Sequence, residues 1–282
     1  MVFLLWLTLL TVAEPRGVVV VSVANMYSAP TDESDVVSQA LCGTNVVFAE
    51  EKDSWVKVRT PDDYAGWMRL ASLRALDTDE HPYASAGRVV QVESLFAKLY
   101  REPDVTKHQP LLTVPFEARL EIVTEQEGEE GRWLEVRLPD HRSAWVQRGD
   151  VAPDPKPLSI RQTIALSQRF LGLPYWWGGT SSFGYDCSGF VQMLVRRRGI
   201  IMPRDADLQA NWAGGQSLKR KKLKPGDLLF FGESAEKVTH TGMYIGRGKF
   251  IHATTHQHPV IQISRLSDQP WTKLVVACRR VK

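Results

Sequence analysis

The feature that most restricts how this chain can fold is an internal repeat in its first half. Trp55-Val56-Lys57-Val58-Arg59-Thr60-Pro61-Asp62 returns as Trp133-Leu134-Glu135-Val136-Arg137-Leu138-Pro139-Asp140. In each copy a second tryptophan, Trp67 or Trp145, follows at the same offset. Upstream, Ala24-Asn25-Met26-Tyr27 ahead of Pro30 parallels Ala97-Lys98-Leu99-Tyr100 ahead of Pro103. Matched anchors at matched offsets mean two copies of one supersecondary unit. Within a copy, apolar and polar residues alternate over short runs broken by Gly, Pro and Asp, the pattern of half-buried strands. Strands are predicted over 18–23, 55–58 and 65–70, so each copy is a small all-β barrel or sandwich. The tryptophans are expected to fill these small cores rather than to form a ligand platform.

The pattern changes at 151–157, where Pro153, Pro155 and Pro157 predict a stiff, extended linker. The expected organisation is a first module over 17–80, a second over 85–152 and a different domain over 158–282; a chain of 282 residues has the length for two or three such units. Residues 1–16 read as an export signal segment. Their apolar run is too short to span a bilayer and Thr11-Val12-Ala13 suits a cleavage site, although no Lys or Arg precedes it. No later stretch is apolar for the ~18 residues of a membrane-spanning helix, so no integral membrane segment is expected. A formal charge of +3 gives no footing for nucleic acid. The runs Arg196-Arg197-Arg198 and Lys219-Arg220-Lys221-Lys222 read as solvated faces. Cys42, Cys187 and Cys278 are too sparse for a disulfide framework or paired metal ligands. Cys42 and Cys278 are expected to be buried as small apolar residues, with a Cys42–Cys278 disulfide as the alternative in an oxidising compartment.

The chemistry gathers in the back half. Ser159-Ile160-Arg161-Gln162 forms a capping box that opens a helix predicted over 160–171. The stretch Gly172-Leu173-Pro174-Tyr175-Trp176-Trp177-Gly178-Gly179 is too rich in Gly and Pro for helix. It leads into Tyr185-Asp186-Cys187-Ser188-Gly189-Phe190-Val191, where an apolar stripe resumes. Cys187 should therefore stand in the first turn of a helix, whose free N–H groups and positive dipole end favour a thiolate and could donate to an oxyanion. His240 and His252 fall on two predicted strands joined by the hairpin Gly246-Arg247-Gly248. One imidazole can thus meet the thiol while the other orients it. A metal site built on His240, His252, His256 and His258 is the weaker reading, because the His256–His258 pair has no convincing partners. No cofactor or metal is expected.

These segments resemble the NlpC superfamily of papain-like cysteine peptidases. The matching pieces are Pro174-Tyr175-x-Trp177-Gly178-Gly179, Asp186-Cys187-Ser188-Gly189, Pro203-Arg204-Asp205-x-x-x-Gln209, Pro225-Gly226-Asp227-Leu228-Leu229-Phe230-Phe231, His240-x-Gly242-x-Tyr244-x-Gly246 and His252-Ala253. They occur in the family's order across 158–282. The front modules are similar to bacterial SH3-like domains. The resemblance implies an α+β fold, two small all-β SH3-like barrels followed by a papain-like α+β catalytic domain. It also implies an endopeptidase cutting the γ-D-glutamyl–diamino acid bond of peptidoglycan stem peptides. Cys187 would be the nucleophile, His240 the base, His252 its orienting partner and Tyr175 an oxyanion donor. Asp186 and Ser188 would sit in the substrate pocket, with Arg204 and Asp205 beside them and Asp186 pairing with the free ammonium of an N-terminal L-alanine. Tyr64 and Asp35 of the first module are the candidates for a wall closing one side of the site. Two positions depart from the family pattern: Ala206 replaces a frequent serine and Asp35 an expected glutamate. The partners implied are stem peptides, met by an exported monomer in the periplasm or cell envelope, with a cytoplasmic location as the alternative because the signal segment is weak. An N-acetylmuramoyl-L-alanine amidase and a non-catalytic wall-binding protein are the competing readings.

Overall fold

The computed structural model describes residues 16–125, 131–153 and 155–282. The proposed signal segment, apart from Arg16, lies outside them. In both copies of the repeat the tryptophan strand buries the same positions: Trp55, Val56 and Val58 along Trp55–Arg59, and Trp133, Leu134 and Val136 along Trp133–Arg137. An edge-on tyrosine packs on each tryptophan, Tyr27 on Trp55 at 5.2 Å and Tyr100 on Trp133 at 5.6 Å. The second tryptophan of each copy pairs with that same tyrosine across strands, Tyr27 with Trp67 and Tyr100 with Trp145. The repeat is thus one packing arrangement built twice, and Trp55, Trp67 and Trp133 are buried as expected of core residues.

The first module is a seven-stranded antiparallel sheet around Val19, Met26, Val46, Val56, Val58 and Met68. The predicted strand over 18–23 is two strands, Arg16–Val19 and Val23–Tyr27. The chain bends between them because Val19 and Ser22 direct their carbonyls to Gly43 and Cys42 of the neighbouring turn. The second module divides into a five-stranded and a two-stranded sheet joined by the Tyr100–Trp145 bridge. The start of the expected linker, Val151–Pro153, pairs with Val89–Val92 as an edge strand, where a proline is tolerated.

The remaining chain places helices against a six-stranded antiparallel sheet. Its strands run in the order Gly215–Ser217, Val275–Val281, Leu228–Ser234, Lys237–Gly246, Lys249–Thr254 and Val260–Arg265. Helix α1 (Ile160–Gln168) begins at the expected capping box and stops short of residue 171, ahead of Gly172 at φ +84°. Helix α2 (Cys187–Arg196) is buried along almost its whole length, and Phe190, Val191 and Leu194 share a core with Phe230, Met243 and Ile251 of the sheet. Helix α3 (Ala206–Asn211) is short. The fold is α+β with two SH3-like modules in front. Cys42 and Cys278 are buried, free thiols in different cores, so the alternative disulfide is absent. Among the described residues, no helix is long and apolar enough to cross a membrane.

Candidate active site

Asp186 is the N-cap of α2 and its side chain takes the Gly189 N–H at 2.7 Å. That leaves the first amides of the helix, at Cys187 and Ser188, without intrahelical partners. The close approach that brings the preceding loop over the helix depends on glycine: a Cβ on Gly189 would stand 2.2 Å from the Gly179 carbonyl oxygen. Cys187 is 8% exposed, and the backbone N–H groups of Thr241 and Ser188 bond to its sulfur. Thr241 adjoins His240, so the helix start and the histidine strand converge on one point. Burial, and then the negative charge of Asp186, push the thiol up to about 12, while Thr241, Arg204 and Ser188 pull the other way.

His240 Nε2 lies 2.7 Å from His252 Nδ1, and His252 Nε2 lies 3.0 Å from the Ser264 hydroxyl. Trp271 packs on His240 at 5.2 Å and edge-on to His252 at 4.8 Å, while Phe231 and Phe250 flank the pair. Burial in this aromatic box lowers His240 to about 3. It holds the fully buried His252 well below the ordinary range, with His240 and His256 adding repulsion. His240 keeps part of its surface open. Burial thus disfavours the charged form of each group taken singly. Opposite charges formed together would offset each other's desolvation, so the two groups titrate as a unit. Tyr175 is half-buried, and burial followed by the nearby Cys187 and Asp186 charges raises its phenol well above the usual range. It stays a neutral O–H donor at pH 7.

The expected substrate residues divide into two groups. Asp186, Ser188 and Arg204 are buried in one network. Asp186 Oδ1 accepts from Gly189, Ser188 and Arg204, and Oδ2 accepts from Gly178 at 3.0 Å and Arg204 Nη2 at 2.5 Å. Arg204 also donates to Ser188 Oγ at 2.7 Å and, across the module boundary, to Ser38 Oγ at 3.2 Å. Asp186, expected to receive a substrate ammonium, is thus met by five protein donors, and its side chain keeps 10% of its surface exposed. Arg204 and Ser188 belong to the same buried network.

The second group is open. Asp205, half-buried beside that network, holds its carboxylate 3.3–3.4 Å from the Tyr64 hydroxyl of the first module. Burial raises the Asp205 carboxyl, while Arg204 and Tyr64 counter it; burial and Asp205 push the Tyr64 phenol up to about 12. Asp35 is exposed on the same module, and its backbone carbonyl accepts from Ser28. The next residue brings its carbonyl against Gly178, where a Cβ would stand 2.4 Å from Val36 O. Tyr64 thus reaches the catalytic domain with its side chain, whereas Asp35 is held near it by the backbone. Ala206 opens α3 and presents only a methyl group. Sequence reasoning did not anticipate Trp271 or Ser264, which belong to no motif and reach the histidines from the short helix Trp271–Leu274 and the edge strand Val260–Arg265.

The profile described as the NlpC/P60 family matches residues 172–280, and that of the bacterial dipeptidyl-peptidase Sh3 domain matches residues 26–73. A γ-D-glutamyl-L-lysine dipeptidyl-peptidase of Bacillus cereus is 33% identical over 250 residues, which cover 82% of this chain and 71% of that protein. One from Bacillus subtilis is 29% identical over 259 residues, covering 87% and 81%. A crystal structure of an NlpC/P60 family protein from Bacillus cereus superposes with a TM-score of 0.81 at 28% identity, covering 94% of this chain and 99% of that one.

Proposed function

The chain belongs to the NlpC/P60 family of cysteine peptidases, and from that premise we propose that it is a peptidoglycan hydrolase releasing an N-terminal dipeptide from stem peptides. The bond cut is the γ-D-glutamyl–diamino acid bond. The observation that carries this reading is the Tyr64–Asp205 contact, which sets a first-module hydroxyl against a carboxylate beside the site. A carboxylate in that position suits the ammonium of a free L-alanine, and in this reading the first module is the wall that excludes a glycan continuing past that amine.

Cys187 attacks the γ-carbonyl of D-glutamate as His240 Nδ1 takes the thiol proton. The backbone N–H of Cys187 and the Tyr175 hydroxyl hold the oxyanion. As the tetrahedral intermediate collapses, the C–N bond breaks and His240 returns the proton to the leaving amine. Water, deprotonated by His240, then cleaves the thioester and frees the dipeptide. His252 keeps the His240 ring in the required orientation. The work is assigned to the cell envelope, where stem peptides occur.

Mass spectrometry of products from L-Ala-γ-D-Glu-diaminopimelate and its muramic-acid-linked counterpart tests the reading. Release of L-Ala-D-Glu from the free peptide alone supports it. Cleavage of both at that bond removes the amine-reading wall, and loss of the whole stem from muramic acid makes the protein an amidase. Cys187→Ala is expected to abolish turnover while the far-UV spectrum and peptide binding persist; undiminished turnover would sink the mechanism.

A further inference from the structure

His240, His252 and Ser264 stand on three neighbouring antiparallel strands, Lys237–Gly246, Lys249–Thr254 and Val260–Arg265, twelve residues apart at each step. Gln262 is directly opposite His252. Ser264, two residues further along, is therefore its diagonal neighbour on the same face of the sheet. The result is a hydrogen-bonded row of 2.7 Å and 3.0 Å running outward from His240.

We propose that Ser264 is a positioning residue of the hydrolytic reaction: its hydroxyl oxygen accepts the outer N–H of His252 and so holds His240 in the tautomer whose Nδ1 is free to take the Cys187 proton. The inference rests on the reading of His240 as the base.

Proton counting carries the argument. Two neutral arrangements satisfy the His240–His252 contact. In one, His240 Nε2–H donates to His252 Nδ1, and the proton of His252 is on Nε2. In the other, His252 Nδ1–H donates to His240 Nε2, and the remaining His240 proton occupies Nδ1, where the thiol proton must arrive. Only the first arrangement is productive. Once His240 has taken the thiol proton, it carries hydrogens on both nitrogens. His252 must then offer a bare Nδ1 and keep its own proton on Nε2.

That outer N–H needs an acceptor inside the fold, because His252 is 0% exposed. The rings around it, Phe250 at 4.5 Å and Trp271 at 4.8 Å, are apolar faces or edges. Ser264 Oγ is the polar atom that meets His252 Nε2. Remove it, and the charged state of the row has a buried, unpaired donor, which is costly in a site of low dielectric. The neutral row can escape by moving the His252 proton to Nδ1, which produces the unproductive arrangement. Either route disfavours the protonated His240 that catalysis requires. The other titratable or charged groups around these rings are His256, edge-on to Trp271, and Cys187 with the Asp186–Arg204 pair behind it. None of them is altered in the test.

The experiment compares wild type, Ser264→Ala and Ser264→Thr on L-Ala-γ-D-Glu-diaminopimelate across pH, with ¹⁵N spectra of the imidazoles on the same proteins. Ser264 is only part-buried, so both variants are expected to fold. In Ser264→Ala, kcat should fall by about tenfold, the size expected for one charge-assisted hydrogen bond, with KM nearly unchanged. The acid limb of kcat/KM should move to lower pH, since the protonated imidazole has lost support. His252 should carry its proton on Nε2 in wild type and shift towards Nδ1 in Ser264→Ala. Threonine keeps the hydroxyl and should restore the rate, the limb and the tautomer. A Ser264→Ala enzyme with wild-type kcat and pH profile overturns the proposal, as does an equal loss in both variants with His252 protonated on Nε2 throughout. If wild type itself fails to turn over the peptide, the functional reading falls instead, and the imidazole spectra still decide the tautomer.

Discussion

Asp186 and Asp205 both lie near Arg204 with the same side chain, yet their oxygens meet different partners. Asp186 accepts from three backbone or hydroxyl donors and both terminal nitrogens of Arg204, whereas Asp205 is half-buried against the Tyr64 phenol. The Asp186–Arg204 pair is almost fully withdrawn from water. Replacing Arg204 by methionine should therefore cost about 3–5 kcal/mol by leaving a buried carboxylate unpaired, read as a lower urea midpoint. Lysine should not restore it, because an ammonium cannot reproduce the two-pronged contact. The histidines make a separate prediction. Burial depresses their folded-state affinity for protons from an ordinary value of 6.5 to about 3 at His240 and well below 6.5 at His252. The unfolded chain then binds protons first as pH falls. Their neutral burial is without penalty above pH 6.5 and costs progressively more as pH drops towards 3. Thermal midpoints should fall over that window, and His252→Gln should flatten the slope; an unchanged slope would mean His252 is protonated in the fold.

Helix α2 explains why so much of the site could be read from local sequence. Its cap, its glycine at the third position and its apolar stripe are contiguous, and so is the capping box of α1; both follow from short-range rules. The end of α1 and the break inside the predicted strand over 18–23 did not follow, because they depend on where distant backbone groups accept hydrogen bonds. Two glycines fix how the loop before α2 meets its surroundings. Gly189→Ala would drive a Cβ into the Gly179 carbonyl, and Gly178→Ala would combine φ +74° with a contact at 2.4 Å to Val36 O. Gly189→Ala should lose roughly 1–3 kcal/mol of stability through overpacking. Gly178→Ala should lower kcat/KM by pushing the first module away from the site. A Gly178→Ala enzyme with wild-type kinetics would show that this contact does not set the position of the wall.

The modules meet through specific polar contacts as well as packing. The first touches the catalytic domain through Asp62–Gln192, Gln39–Thr180, Ser38–Arg204 and Tyr64–Asp205. The second meets it through Glu117–Arg196 and Glu93–Arg197. Tyr64→Phe removes one hydroxyl from the wall and should raise KM for the free tripeptide several-fold, with a smaller change in kcat, measured by steady-state kinetics; a KM equal to wild type would place the amine elsewhere. From the sequence by itself came the duplicated module, the helix start at Cys187, and the order of the cysteine and the two histidines. Each is written in contiguous residues or in a repeat whose spacing survives folding. The tertiary structure decided which carboxylate pairs with Arg204 and which with Tyr64, that Arg204 is buried, and that Ser264 ends the histidine row. Desolvation and hydrogen-bond saturation at those groups are set by several segments at once, and no single stretch of the chain contains all the partners.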